Sequence, residues 1–223
     1  MSARRAALAE GWPVLISVFV VGVPFGIVAR QAGLAPVEII AMSLFVFAGA
    51  SQFAMVQLFT DGGSVPLIIA TVFLVNLRHA LMSASVRPLL GKLTIPRRLG
   101  AAFFLTDEAF AMATGWTRRG RREVAYYLTF AVALYVLWNL ATAIGLTLGP
   151  VITDPRRYGI DLAITATFLA IVVLGVRHRA DLVVAVTAAL VSAALALAGA
   201  SVVAVVLAGL LAPLAVLIVA DEG

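Results

Sequence analysis

Apolar residues in this chain collect in long runs rather than recurring at helical or strand spacing, and the runs themselves set the first prediction. Eight segments stand out: Trp12 to Ala29, Ile39 to Thr60, Val65 to Val86, Leu99 to Thr117, Val124 to Val151, Ile160 to Val176, Leu182 to Ala198 and Val202 to Ala220. Most have the roughly 17 to 25 residues that a helix rising about 1.5 Å per residue needs to cross a hydrocarbon layer about 30 Å thick. Open strand edges go unsatisfied in lipid, and the alternating polarity of a membrane barrel is missing. The pattern predicts an all-α fold, a polytopic membrane helical bundle of about seven to eight hydrophobic segments forming a single domain over residues 1–223.

Two segments carry interruptions. Gly22-Val23-Pro24-Phe25-Gly26 lies inside the first, where a missing amide donor and a loosened backbone predict a bend or break near Gly22, Pro24 and Gly26. Thr106-Asp107-Glu108 divides the fourth into halves of about two turns each, too short to span singly. Both read as broken or re-entrant elements. The last three segments, rich in Ala, Val and Leu, read as packing or lipid-facing helices, the last one bent at Pro213.

Composition supports the membrane reading: 63% of the 223 residues are hydrophobic, 12% are charged, and the mean hydropathy is +1.09. The chain has no cysteine, which excludes disulfides, thiolate metal sites and cysteine nucleophiles. Two histidines, His79 and His178, are too few for a multi-histidine centre, so no metal and no cofactor are expected.

A net charge of +5 raises the question of nucleic acid, but the sixteen Lys and Arg sit mainly between apolar runs, where orientation in the bilayer accounts for them; no nucleic-acid partner is expected. Half of them occupy two short connections, Arg87, Lys92, Arg97 and Arg98 (87–98), then Arg118, Arg119, Arg121 and Arg122 (118–123). The positive-inside rule places both connections in the cytoplasm, so the intervening segment begins and ends on one side. Asp61-Gly62-Gly63 has no basic residue and reads as external. Arg4 and Arg5 before the first run give it the charge order of a signal peptide, but without a convincing cleavage site it reads as retained.

Three polar clusters lie within the apolar sequence, all in the first half. In Ala48-Gly49-Ala50-Ser51-Gln52-Phe53, small residues allow close backbone approach while Gln52 offers a donor and an acceptor; this is either a helix contact or a substrate site with Ser51 and Gln52 as ligands. Asn76-Leu77-Arg78-His79, with Ser83 and Ser85 beyond, puts a cation inside the third segment. Arg78 there needs a partner, unless the helix ends near Leu77 and the side chain reaches the headgroups. His79 suits a proton relay, since histidine is the side-chain type whose charge ordinarily changes near physiological pH. Asp107 and Glu108 read either as a cation's partners in a proton-coupled carrier or as the first turn of a helix capped by Thr106. Pairing of Arg78 with Asp107 or Glu108 is the expected link between clusters.

Pro24-Phe25-Gly26, Val46-Phe47-Ala48-Gly49-Ala50-Ser51-Gln52-Phe53, Asn76-Leu77-Arg78-His79 with Leu81-Met82-Ser83-Ala84-Ser85, and Thr106-Asp107-Glu108-Ala109-Phe110 follow one another as in the AzlC family, which the chain resembles. The resemblance is specific over Gly22 to Ala111; beyond Tyr126 it rests on hydropathy and length. It implies the large subunit of a branched-chain amino acid exporter of the cell inner membrane, driven by protons, with a small AzlD-type membrane subunit and an apolar amino acid as partners. It also implies a functional core at Ser51, Gln52, Asn76, Arg78, His79, Asp107 and Glu108. In such a site Arg78 would face the substrate carboxylate and Asp107 the ammonium, with Phe25, Phe47, Phe53 and Phe110 shaping an apolar pocket. An intramembrane enzyme is the main alternative, but HExxH and GxSxG are absent and so is a separated Asp pair on apolar helices; no enzyme activity is expected. A channel-like pore for a small solute is the other.

Overall fold

A computed structural model describes residues 1–91, 93–152, 169, 176, 179–199, 207–208 and 211–212. Every regular element among them is helical. In order these are α1 (Ala3–Gln31), α2 (Pro36–Ala41), a π-helical turn (Met42–Val46), α3 (Gly49–Thr60), α4 (Val65–Asn76), α5 (Arg78–Leu90), α6 (Ile95–Phe103), α7 (Asp107–Arg118), α8 (Val124–Leu148) and α9 (Arg179–Leu197). Four stretches are long and apolar enough to cross a membrane: α1, α4 with α5 (Val65–Leu90), α8 and α9. The sixth and eighth apolar segments expected from the sequence lie almost wholly outside the described residues, as does Pro213.

The frame of the molecule is the pair α1 and α8, which pack along most of their length. Small residues make this possible. A Cβ added at Gly22 would meet Ala141 Cβ at 2.7 Å, one at Gly26 would overlap the Thr142 carbonyl oxygen, and one at Gly145 would overlap the Val23 carbonyl oxygen. Gly22 and Gly26 on α1 therefore face Ala141 and Gly145 on α8, each pair four residues apart, in the small-xxx-small arrangement that lets membrane helices pack backbone to backbone.

This corrects the break expected near Pro24. The helix α1 runs without interruption from Ala3 to Gln31 with Pro13 and Pro24 inside it. A proline forfeits one hydrogen bond, which a membrane helix tolerates when its neighbours support it. The glycines flanking Pro24 serve the contact with α8, and the helix continues through the proline.

The second and third apolar segments are broken instead. After α2 the chain widens into the π turn, where the Phe47 amide donates to the Met42 carbonyl at 3.2 Å, and Phe47 then turns left-handed at φ 43°. Ala48 is extended, and α3 starts at Gly49. The third segment is interrupted at Leu77, between α4 and α5. The fourth divides as the sequence suggested: α6 ends at Phe103, and Thr106 caps α7 by accepting from the Ala109 amide at 3.3 Å. Thr106 is buried, so this is an interior cap rather than a solvated one.

The far end of α7 is fastened to the frame. Arg119 donates to both carboxylate oxygens of Glu10 on α1, at 3.1 and 2.6 Å, and the Tyr126 hydroxyl of α8 donates to the same group at 2.8 Å. The hydrogen bond to Glu10 raises the Arg119 pKa above its ordinary value, so the guanidinium stays charged. Trp116 stacks on Tyr126 with centroids 3.9 Å apart and donates to Glu123 at 2.9 Å, while Arg119 and Arg121 lie 4.9 and 4.7 Å from its ring centroid.

Candidate functional site

The three breaks meet. A narrow cavity of about 30 Å³ is lined by Phe47, Ala48 and Gly49 from the first, Arg78 and His79 from the second, and Thr106, Asp107 and Glu108 from the third; Val18, Leu134 and Trp138 of the frame close it. Since one water needs roughly 10–15 Å³ of such space, the cavity holds a water or two and is shut to anything larger.

Its chemistry is ionic. Arg78 Nη2 lies 2.8 Å from Asp107 Oδ2, and the two side chains are 33% and 36% exposed. The pairing anticipated for Arg78 is made, and Asp107 is the acid that makes it. Glu108 shares the cavity one position along α7, turned about 100° from Asp107 around the helix. Arg78 Nε is buried with no partner among the described residues. A buried donor left unsatisfied costs about 1–3 kcal/mol, and a ligand or water bound there recovers it. His79 Nδ1 is 3.0 Å from the Asn76 carbonyl oxygen, so this ring nitrogen is engaged by the backbone just before the break.

Helix ends add a directional field. The first residues of α3, α5 and α7 all border the cavity, and each helix N-terminus presents orphan amide donors and partial positive charge. On α7 Asp107 and Glu108 occupy the first turn and oppose that charge. No side chain caps α3, so its first-turn amides beside Gly49 are left for an anion.

Not every expected site residue faces this space. The side chain of Gln52 is spent on structure. Its Oε1 accepts from the Ala48 amide at 3.2 Å and from Trp138 Nε1 at 3.1 Å, and its Nε2 donates to Ser43 Oγ at 3.1 Å. Ser43 in turn is 3.0 Å from Thr142 of α8, a fully buried chain of polar contacts that pins the unwound backbone to the frame. Ser51 donates to the Ala48 carbonyl at 2.9 Å and is likewise buried. Gln52 and Ser51 stand behind the break, holding it open, and are not cavity-lining residues. Asn76 is not in the lining either, and its Oδ1 is buried without a partner among the described residues.

Of the four phenylalanines expected to shape the pocket, only Phe47 borders the cavity. Phe25 is fully buried behind it, edge-on to Phe53 at 5.4 Å and stacked on Trp138 at 5.6 Å. Trp138, Ser43 and Thr142 were not singled out in the sequence. The only signal was a Trp-Asn pair and a threonine inside the otherwise apolar run of α8, which ordinary membrane packing also produces. Among the described residues no group of His, Asp and Glu is placed to hold a metal ion.

The sequence model of the family described as AzlC protein matches residues 13–152, a stretch that includes all three breaks. An uncharacterized membrane protein of Archaeoglobus fulgidus is 33% identical over 177 residues, 78% of this chain and 77% of the relative. The inner membrane protein YgaZ of Escherichia coli is 29% identical over 90% of this chain and 84% of its own length. The branched-chain amino acid transport protein AzlC of Bacillus subtilis is 24% identical over 76% and 66%. No solved structure gives a significant match. With a family match over residues 13–152, the greater part of the chain, this membrane protein belongs to the AzlC family.

Proposed function

We propose that the protein is the larger subunit of a two-component secondary transporter that exports branched-chain and related apolar amino acids across the cytoplasmic membrane, coupled to protons. The observation that carries this reading is the convergence of three interrupted helices on one narrow cavity lined by a cation and two carboxylates. Broken helices of this kind present backbone dipoles to solutes in many carriers. The name of the Bacillus subtilis relative supports the substrate class, and that of the Escherichia coli relative the inner membrane.

An α-amino acid is a zwitterion, and the site offers complementary groups for each end. The carboxylate goes to Arg78 Nε and the free amides at the start of α3. The ammonium goes to Asp107 or Glu108, and the apolar side chain lies toward Phe47, Leu134 and Val18. Asp107 cannot fully pair with Arg78 and hold an ammonium at once. Substrate entry therefore loosens the pair, and a proton taken by either acid weakens the hold on both the ammonium and Arg78, which is the coupling step. A cavity of this size is too small for an amino acid, so transport requires the α4/α5 and α6/α7 breaks to move apart.

Counterflow of labelled leucine into proteoliposomes tests this, made with and without the AzlD-type subunit and with and without an imposed pH gradient. Accelerated, saturable exchange that responds to the gradient is expected when both subunits are present. Absence of accelerated flux under every combination would overturn the proposal.

A further inference from the structure

A groove of about 430 Å³ lies at the far end of α5, lined by Ala84, Arg87, Pro88, Gly91 and Arg98. It is a cationic place that no acidic side chain among the described residues neutralises. No Asp or Glu occurs in the sequence between Asp61 and Asp107, and neither Arg87 nor Arg98 has an ion-pair partner among the described residues. Arg98 is held in place by Nη2, which donates to the Gly91 and Leu93 carbonyls at 3.0 and 3.1 Å, while its Nε is buried without a partner. The guanidinium is thus oriented by the backbone with a donor unused. Arg87 is exposed.

The helix beside this groove, α6, is amphipathic. Ile95, Leu99 and Phe103, spaced four apart on one side, are 70%, 68% and 43% exposed, while Arg97 and Arg98 stand on the same short helix. Apolar surface next to basic side chains, on a helix too short to span, is the pattern of a helix lying at the headgroup boundary. A free anion would satisfy the two arginines and leave the apolar edge of α6 in water. An anionic phospholipid satisfies both.

We propose that the groove between the end of α5 and α6 binds the phosphate of an anionic phospholipid, with Arg87 and Arg98 as its ligands and the apolar edge of α6 against the acyl chains. Arg98 supplies the fixed donor and Arg87 the mobile one. The site is remote from the Arg78 cavity in composition and shares no lining residue with it.

Thermal unfolding of the purified chain in a neutral detergent, titrated with phosphatidylglycerol, phosphatidylcholine or inorganic phosphate, tests the site without needing transport. Phosphatidylglycerol is expected to stabilise saturably, and R87Q to raise its half-saturating concentration about fivefold, in keeping with the weight of one basic residue at a membrane surface. R87K, which keeps the charge, should keep a half-saturating concentration near that of the wild type. Equal stabilisation by phosphatidylcholine, an equal effect of inorganic phosphate, or an unchanged titration in R87Q would each overturn the proposal.

Discussion

Arg78 and Gln52 are both polar residues inside apolar sequence, yet the structure gives them opposite work. Arg78 keeps an unused donor at the cavity, whereas three of the hydrogen-bonding positions of Gln52 are filled by the chain itself. Replacement should separate them. On the proposed binding mode R78Q removes a charge-assisted contact to substrate, and leucine counterflow should fall about 10- to 100-fold, the equivalent of roughly 1.5–3 kcal/mol. D107N should do likewise, and the double variant R78Q/D107N should regain thermal stability relative to either single change without regaining flux, because it removes both members of the ion pair together. Q52L instead strands Trp138 Nε1 and the Ala48 amide, at about 2–4 kcal/mol of stability, measurable as a lowered unfolding temperature in detergent before any transport is assayed. S51A, which loses one bond within its own helix, should cost about 1 kcal/mol at most and leave flux near the wild type. Sequence alone could mark these positions as polar and misplaced, but the difference between a ligand and a strut lies in which partners surround it.

At the scale of elements, the break at Thr106 was legible because a capping threonine followed by two acids is a helix start whatever surrounds it. The interruption at Leu77 stood only as one reading of Arg78, since Asn76-Leu77-Arg78 has no residue that stops a helix. The turn at Phe47 left no trace at all. A left-handed phenylalanine after a π turn depends on tertiary support, here the edge-on contact of Phe47 with Tyr135 at 4.9 Å and the anchoring of Ala48 by Gln52. Pro24 misled for the converse reason: Gly-x-x-x-Gly around a proline is the composition both of a break and of a close helix contact, and the partner helix decides. G26L and G145L should each push α1 from α8 and abolish the monodisperse peak in size-exclusion chromatography, whereas G33L, at an exposed turn with φ +91° and open space around it, should leave the peak in place and only lower the unfolding temperature slightly.

For the whole molecule, hydropathy was enough to predict an all-α membrane bundle, but run length says nothing of where a run is severed. The charge pattern makes a separate prediction about sidedness. Because the chain has no cysteine, a single one introduced at Arg97 or Arg121 is the only thiol present. Both should react with an impermeant maleimide only from the cytoplasmic side, and one at Gly62 only from the opposite side. Reaction of Arg97 and Arg121 variants from different sides would show that α6 and α7 together cross the membrane. Those two helices also bear on how the cavity opens. Opposite charges tether α7 at both ends, Asp107 to Arg78 and Arg119 to Glu10, about 18 Å apart for a twelve-residue helix. If the Arg78 tether lets go while Glu10 holds, as the proposed transport cycle requires, the Asp107 end of α7 is the end set free, and a swing about the Trp116–Tyr126 end would make the helix a lever whose fulcrum lies a full helix length from the load.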